Sequence, residues 1–367
     1  MNSWWRISVS GASNAEFPRP TKGGSQFAGA ALTFLALIAG VIAVSAAYQS
    51  WAAYRDQRRL RPPGRSVKTE HGALYFHEQG LGSPTVLLES GLAASSLSWA
   101  LVQPQVAEWT RVCSYDRAGF GWSRPSSRPR TVANVTTELA ALLKAAGLRP
   151  PYILVGHSFG GLLVRAFAHL HPGDIAGVVL VDPVSLQYWS DCGPNDYKRL
   201  RLGVKLCRRG ALLAKIGVVR LALLLLAQGQ TRLPKLIARA SSGKANDLIA
   251  RLTGEIRRLP PAVLPFLRAH WSRSYCFQTM AAYLQNLPQS AREAKRMEIS
   301  SQIPLTVLSA SNATESELQE RETWARQSQS GRHIRLTDSG HWIQLEHPQA
   351  VVAAICELVK PGSRTGQ

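Results

Sequence analysis

Short apolar runs alternate with helical patterns in two parts of the chain. Amphipathic segments predict helices, for example residues 132–146, which end before Gly147, and residues 348–359. This alternation predicts an α/β fold with a mostly parallel sheet covered by helices on both faces. The apolar runs predict a strand pair at residues 67–79 and single strands at residues 84–90, 111–116, 152–157, 177–181, 304–310 and 333–337.

Between residues 185 and 301 the strand pattern stops, and helical stretches rich in leucine and arginine take its place. A long helical insertion in an α/β sheet is typical of a cap, or lid, over one edge of that sheet. Within it, Lys205, Arg208 and Arg209 share one helical face. That face is either solvated or lies on an anionic bilayer, and the sequence leaves both interpretations open.

An uncharged run of about 22 residues begins at Phe27 and is long enough to cross a hydrocarbon layer of about 30 Å. It predicts a single-pass membrane anchor, with a cleaved secretory signal as the alternative. More lysine and arginine follow the run than precede it, among them Arg55, Arg58 and Arg59. By the positive-inside rule, this asymmetry predicts that the large domain faces the cytoplasm.

Length and composition fit one large folded domain with additions, since 367 residues with 45% apolar content can bury a sizeable core. The formal net charge is +20, which favours an anionic partner. We expect a lipid bilayer and not nucleic acid, because no zinc-ligand spacing or basic recognition helix occurs in the sequence. The five cysteines form no CxxC pair and are expected to be free, with a Cys192–Cys207 bridge as the alternative. No metal site or organic cofactor is predicted.

These patterns divide the chain into segments. We expect a disordered tail at 1–26, a transmembrane helix at 27–49, a basic linker at 50–65, an α/β core at 66–184 and 302–361, a helical cap at 185–301, and a short tail at 362–367.

The strongest chemical signal is the sequence Gly156-His-Ser158-Phe-Gly160 at the end of a predicted strand and the start of a predicted helix. A serine hydroxyl is a weak nucleophile, so it must project to where a base can reach it. Two glycines leave room for a sharp turn with Ser158 at its tip. The sequence therefore predicts Ser158 as a nucleophile.

A base is predicted at His341, within Ser339-Gly340-His341-Trp342, because this loop lies between the last predicted strand and the last predicted helix. Catalytic groups collect at the edge where parallel strands end. We expect His341 to take the Ser158 proton and return it to the leaving group.

Three motifs together resemble the α/β-hydrolase superfamily, in its lidded, serine-nucleophile branch of esterases and lipases. They are the Ser158 pentapeptide, the loop at residues 116–123 (DRAGFGWS) and Ser339-Gly-His341. The resemblance covers residues 66–183 and 302–361 and implies the α/β-hydrolase fold. The epoxide hydrolases and haloalkane dehalogenases of this superfamily carry aspartate at the turn. Because Ser158 stands there in this chain, the resemblance implies a serine nucleophile and argues against both of those classes. Residues 116–123 are expected either to shape the floor of the site or to form a structural turn with a local Asp116–Arg117 ion pair.

The resemblance also implies a catalytic acid and an oxyanion hole. Family members often carry the acid after the next-to-last strand, where Glu315 is the nearest carboxylate here, or after the strand that follows the nucleophile, where Asp182 stands. Asp182 is the preferred acid and Glu315 the alternative. The backbone N–H groups of Phe159 and Leu92 are the expected oxyanion donors.

Together these features predict a membrane-anchored serine hydrolase acting on a carboxylic ester or related acyl bond through an acyl-enzyme. The leucine-rich cap favours an apolar acyl substrate. Two alternatives stay open, an acyltransferase and a non-catalytic module that binds a ligand or partner on the same fold.

Overall fold

The computed structural model of the protein describes residues 23–227 and 258–359. The chain divides into two units after Ser45. The predicted tails lie outside the described residues except for residues 23–26.

The first helix, α1 (Gly23–Arg59), contains the predicted membrane span. Its stretch Gly29–Arg59 is long and apolar enough to cross a bilayer, and Leu32, Val41 and Val44 on it are each more than 65% exposed. The helix continues about ten residues beyond the predicted end at residue 49, because glutamine, alanine and arginine support helix as well as the apolar residues do. The predicted linker is therefore wrong over residues 50–59, which are helical.

Eight strands form one sheet in the order β1-β2-β4-β3-β5-β6-β7-β8. Both β1–β2 and β2–β4 pair antiparallel, and every other neighbouring pair is parallel. The predicted mostly parallel sheet is confirmed. The strands are β1 (Arg65–Thr69), β2 (Gly72–Gln79), β3 (Thr85–Glu89), β4 (Val112–Tyr115), β5 (Tyr152–His157), β6 (Ile175–Val181), β7 (Leu305–Ser309) and β8 (Arg332–Arg335).

Helices cover both faces of this sheet. They are α2 (Gln103–Val106), α3 (Val132–Ala146), α4 (Phe159–Leu170), α5 (Leu186–Ser190), α6 (Pro194–Lys215), α7 (Val218–Ala227), α8 (Leu264–Trp271), α9 (Ser274–Lys295), α10 (Glu315–Gln327), α11 (Ile343–Glu346) and α12 (Pro348–Val359). The predicted helix before Gly147 has its expected bounds, because Thr131 caps its first turn and Gly147 ends it with φ +76°.

The apolar residues between 99 and 109 have roughly helical spacing, which predicts a helix there. This prediction is largely wrong, because these residues contain only the short helix α2, preceded by a 3₁₀ turn at Ser96–Trp99. Pro104 lies in the first turn of α2, where its missing N–H is tolerated. It would interrupt a longer helix that began near residue 99, because a proline inside a helix removes a backbone hydrogen bond.

The strands alternate their side chains between two apolar cores, one on each face of the sheet. Leu87 and Leu154 contribute to one core, together with α3, α4 and the cap, while Val86 and Leu88 contribute to the other, which α12 covers. Burial on both faces fixes where the strand ends lie, and those ends carry the candidate chemistry.

The interval predicted as a cap holds helices α5 to α9, and the described part of it contains no strand. Residues near the end of α1 contact this cap: Arg220 on α7 donates to Gln49 Oε1 at 2.7 Å and to Asp56 Oδ2 at 2.6 Å. All five cysteines are free thiols, so the alternative Cys192–Cys207 bridge is wrong.

Candidate active site

Ser158 occupies a strained turn between β5 and α4. Its backbone has φ +54° and ψ −117°, a conformation that is unfavourable for a residue with a side chain. Its N–H donates to the Val181 carbonyl at 2.9 Å, which fixes the turn against the end of β6. This is the geometry of a nucleophile elbow.

The two glycines that flank Ser158 are required by close backbone contacts. A Cβ at Gly156 would lie 2.6 Å from the carbonyl oxygen of Gly160, and a Cβ at Gly160 would lie 2.5 Å from the carbonyl oxygen of Glu89. Neither position has room for a side chain, as the sequence pattern indicates.

His341 lies in the loop between β8 and α11, and its imidazole contacts Asp182. The two are joined by a hydrogen bond of 2.6 Å between His341 Nδ1 and Asp182 Oδ2. Asp182 follows β6 directly and has φ +41°. The residues are far apart in the sequence, and they meet because the parallel strands β6 and β8, which flank β7, end at the same edge of the sheet.

Asp182 is buried and held by further donors. Its Oδ1 accepts from Arg321 Nη1 at 2.8 Å and from the Ala310 N–H at 3.1 Å. Burial opposes ionisation of Asp182, but its hydrogen bond with His341 and the charges of His341 and Arg321 outweigh this effect and lower its pKa to about 2. The carboxylate is therefore ionised at neutral pH.

Arg321 on α10 is a residue that the sequence analysis missed. Besides Asp182, it donates to the Pro183 carbonyl at 2.6 Å and to Ser309 Oγ at 3.1 Å, so it joins the ends of β6 and β7. No sequence spacing relates an arginine on a largely polar helix to a carboxylate 139 residues earlier in the chain. Only the three-dimensional fold reveals this contact.

The elbow contacts His341 through His157. His157 Nε2 and the His341 carbonyl oxygen are 2.8 Å apart, and the two imidazole rings lie 4.7 Å apart between centroids. Burial and the nearby His341 lower the pKa of His157 to about 3, so it is neutral and donates through Nε2. Among the described residues no hydrogen bond joins the Ser158 hydroxyl to His341. Such bonds are often long before substrate binds.

The alternative acid lies elsewhere. Glu315 is exposed at the first position of α10, where Gln319 contacts it at 3.5 Å, and within the described part of the chain it has no ion pair with His341. Of the two carboxylates considered, the structure brings only Asp182 to the imidazole.

One expected oxyanion donor follows Ser158 directly in the chain, and the other belongs to a loop close to it. The Phe159 N–H opens helix α4, and Leu92 lies in the loop after β3, where a Cβ added at Gly91 would be 3.4 Å from Ser158 Cβ. Neither the Phe159 nor the Leu92 N–H has a hydrogen-bond partner among the residues that the structure describes. Unpaired N–H groups at a helix start are suited to bind an anionic oxygen.

The predicted Asp116–Arg117 ion pair is wrong. Arg117 pairs instead with buried Glu89 at the end of β3, and it donates to the carbonyl oxygens of Ser90 at 2.6 Å and Gly91 at 2.5 Å. Arg117 therefore holds the backbone that leads into Leu92.

Asp116 has a separate structural role. It accepts from the N–H groups of Ser96 and Trp122, each at 2.8 Å, and burial raises its pKa to about 6. A Cβ at Gly121 would collide with this carboxylate, which explains the glycine in that loop. Both acidic and basic side chains of the motif at 116–123 thus organise loops around the elbow.

The family model described as "alpha/beta hydrolase fold" matches residues 84–348. An uncharacterized protein of Bacillus subtilis, YqjL, is 37% identical over 107 residues, which cover 29% of this chain and 42% of that protein. A 2-hydroxy-6-oxo-2,4-heptadienoate hydrolase of Pseudomonas putida is 35% identical over 128 residues, 34% of this chain and 46% of that enzyme. The matched region thus spans less than half the length of these curated relatives.

Solved structures resemble about four fifths of the chain. The epoxide hydrolase CorEH has a TM-score of 0.58 at 19% identity, covering 81% of this chain and 98% of that one. An esterase from Thermogutta terrifontis has a TM-score of 0.55 at 20% identity, covering 82% and 99%. An enol-lactonase from Burkholderia xenovorans has a TM-score of 0.55 at 18% identity, covering 81% and 100%. At these identities the likeness establishes the fold. With the family match over most of the chain, the strand order and the elbow, it follows that this protein belongs to the α/β-hydrolase family.

Proposed function

We propose that the protein is a membrane-anchored serine hydrolase that cleaves a carboxylic ester or a related acyl bond. The observation that carries the proposal is the 2.6 Å hydrogen bond between His341 and buried Asp182, beside an elbow with a serine at its tip. An imidazole with one nitrogen fixed by a carboxylate has the other nitrogen available as a base.

In the proposed reaction, His341 removes the Ser158 proton as the hydroxyl oxygen attacks the acyl carbon. The N–H groups of Phe159 and Leu92 bind the oxyanion of the tetrahedral intermediate. Collapse expels the alcohol, which takes the proton from the imidazolium, and leaves the acyl group on Ser158. Water that transfers its proton to His341 then attacks this ester, releasing the acid and restoring the serine.

Asp182 and Arg321 act on the base in this scheme. Asp182 fixes the imidazole tautomer with Nδ1 protonated and stabilises the imidazolium that forms. Arg321 keeps Asp182 ionised and oriented, which makes it a positioning residue.

The substrate class follows from the elbow and the cap. Epoxide hydrolases are among the structural neighbours, but Ser158 stands where the resemblance implies aspartate in those enzymes. The cap contributes Val263 and Phe266 to an apolar cleft of about 200 Å³, whose lining includes none of the proposed catalytic residues. The support for an apolar acyl group is therefore the leucine-rich sequence of the cap.

A series of p-nitrophenyl esters of increasing acyl length tests the proposal. We expect hydrolysis by the full-length protein, its loss in Ser158→Ala, and no change in Ser127→Ala, whose serine is exposed. A fluorophosphonate probe should label the wild type and Ser127→Ala only. Failure to label folded wild-type protein would favour the non-catalytic alternative, while product esters formed from an added alcohol acceptor would favour acyl transfer.

We further propose that α1 anchors the protein in a bilayer, with the catalytic unit in the cytoplasm. The apolar, exposed stretch of α1 supports an anchor, and the excess of lysine and arginine after it supports the cytoplasmic side. If α1 is an anchor, the protein should stay in the membrane fraction after carbonate extraction, and its intact mass should include residues 1–45. If the segment is a cleaved signal, the intact mass should lack the removed residues. Protease protection in sealed vesicles tests the side.

A further inference from the structure

A second cleft, of about 360 Å³, lies between helices α4, α5, α9 and α10 and contains none of the proposed catalytic residues. We call it the Arg165 cleft. Its charged or aromatic lining comes from Arg165, Lys295, Glu298, Glu320 and Trp324.

Arg165 is buried and has no hydrogen-bond partner among the residues that the structure describes. Its side chain is on α4, the residue is 3% exposed, and its guanidinium carbon lies 4.4 Å from the centre of the Trp324 ring. None of its nitrogens donates a hydrogen bond to a residue that the structure describes, and its Nε is fully buried. Burial lowers the pKa of Arg165 to about 10 although the charges of Glu320 and Glu298 oppose this shift, and the group remains charged at neutral pH. A buried cation without hydrogen bonds is costly, which points to an acceptor supplied by a ligand.

The cleft also holds an acceptor without a donor. Glu320 Oε1 accepts from the N–H groups of Leu186 at 3.0 Å and Gln187 at 2.9 Å. Its other oxygen, Oε2, is buried and has no partner among the described residues. With respect to the described residues, the cleft therefore presents an unpaired donor group and an unpaired acceptor together.

The cleft is lined by one further positive and one further negative side chain, Lys295 and Glu298. Lys295 Nζ lies at the rim, 3.4 Å from Asp191 Oδ2, and Glu298 is exposed on the same side. A simple anion would meet Arg165 and Lys295 but also face Glu320 and Glu298. A ligand that offers both anionic oxygens and a donor satisfies both kinds of unpaired group.

We propose that the Arg165 cleft binds a small oxyanion that carries its own hydroxyl, such as a hydrogenphosphate group or a hydroxycarboxylate. Its anionic oxygens accept from Arg165 and Lys295, and its hydroxyl donates to Glu320 Oε2. This site is independent of the proposed hydrolase activity.

Matched pairs of ions test the chemistry. Isothermal titration calorimetry of the full-length protein in detergent at neutral pH would compare hydrogenphosphate with sulfate and glycolate with acetate. In each pair only the first has a hydroxyl donor. We expect hydrogenphosphate and glycolate to bind at least about tenfold more tightly than sulfate and acetate. Sulfate and acetate have no hydroxyl donor and would place an oxygen lone pair against the Glu320 carboxylate. Binding of hydrogenphosphate but not glycolate would identify a phosphate group as the ligand, and the reverse a hydroxycarboxylate.

Variants separate the two halves of the site. Arg165→Met keeps an apolar stem over Trp324 and should lose binding at least about tenfold. Glu320→Gln still accepts from Leu186 and Gln187 but replaces the free oxygen with a donor, so sulfate or acetate should then bind as well as its hydroxylated counterpart. Arg326→Gln, an exposed change on α10, should bind as wild type does.

Two outcomes would overturn the proposal. One is the absence of binding of both hydrogenphosphate and glycolate to the wild type. The other is equal binding by folded Arg165→Met. Should Arg165→Met fail to fold, the altered ion preference of Glu320→Gln decides alone. Ser158→Ala should bind normally, so a failure here is distinct from a failure of the hydrolase proposal.

Discussion

Arg117 and Arg165 are equally buried, each 3% exposed, but their surroundings differ. Arg117 pairs with Glu89 and donates to the carbonyl oxygens of the two residues that precede Leu92. Arg165 stacks on Trp324 and has no hydrogen bond to any described residue. In both arginines Nε has no hydrogen bond to a residue in the described ranges, so the difference lies in the terminal nitrogens. Equal burial therefore does not mean equal function. Near the elbow the arginine holds the fold, and in the cleft it is available to a ligand.

The largest expected effect concerns the carboxylate at the catalytic edge. If Asp182 and Arg321 act together on His341, Asp182→Asn should lower turnover of a p-nitrophenyl ester about 10⁴-fold. The reason is that the asparagine favours the wrong tautomer of the His341 imidazole. Steady-state kinetics on matched protein preparations measures this loss. Glu315→Gln is the control and should leave turnover unchanged. The reverse pattern would move the acid to Glu315.

The next effect tests Arg117 directly. Arg117→Met should destabilise the protein by about 3–5 kcal/mol, since it leaves Glu89 buried without its cation. Urea unfolding followed by tryptophan fluorescence measures the change. The double variant Arg117→Met with Glu89→Met removes both charges and should recover most of the loss. If the double variant is no more stable than the single one, Arg117 acts through its carbonyl contacts alone.

A pH effect of intermediate size comes from His157. Its pKa is about 3 in the folded protein, against 6.5 as the ordinary value, so the unfolded chain binds more protons as the pH falls below about 6.5. Stability should therefore decrease with falling pH, with His157 contributing about 1 kcal/mol per pH unit near pH 5.

The His157→Gln variant keeps a donor for the His341 carbonyl and should show a shallower fall in stability between pH 6 and pH 5. His169→Gln, at an exposed position, serves as the control. An unchanged slope in His157→Gln would mean that His157 takes up a proton in the folded state.

The smallest effect completes the comparison. Arg165→Met should change the free energy of unfolding by less than about 1 kcal/mol in a buffer without phosphate or carboxylate, because it breaks no hydrogen bond to a described residue. A loss as large as that of Arg117→Met would show that Arg165 is part of the folded framework.

Much of the fold could be predicted because strands buried on both faces leave continuous apolar runs in the sequence. Ser158 and its glycines were also predictable, since the steric demands of the elbow are local. His341 followed from the rule that strand ends meet at one edge, whereas Asp182 came from the resemblance to the α/β-hydrolase superfamily. The inferences about the strands, Ser158 and His341 need only neighbouring residues or strand order.

The long-range contacts of two arginines could not be predicted. Arg117 was expected to pair with its neighbour Asp116, but the fold offers it Glu89 and the carbonyls of the next loop. Arg321 gave no signal at all, because an arginine on a polar helix is common. The choice among partners depends on three-dimensional distances that a sequence pattern does not contain.

The contact of Arg220 with Gln49 and Asp56 affects how a water-soluble version of the catalytic unit should be designed. The sequence suggests cutting after the basic stretch, near residue 65. That cut would delete the carboxylate that neutralises Arg220, as well as Ala52, which is fully buried. A truncated version that begins at Ala46, where the second unit starts, keeps these contacts and is the better choice for expression and crystallisation.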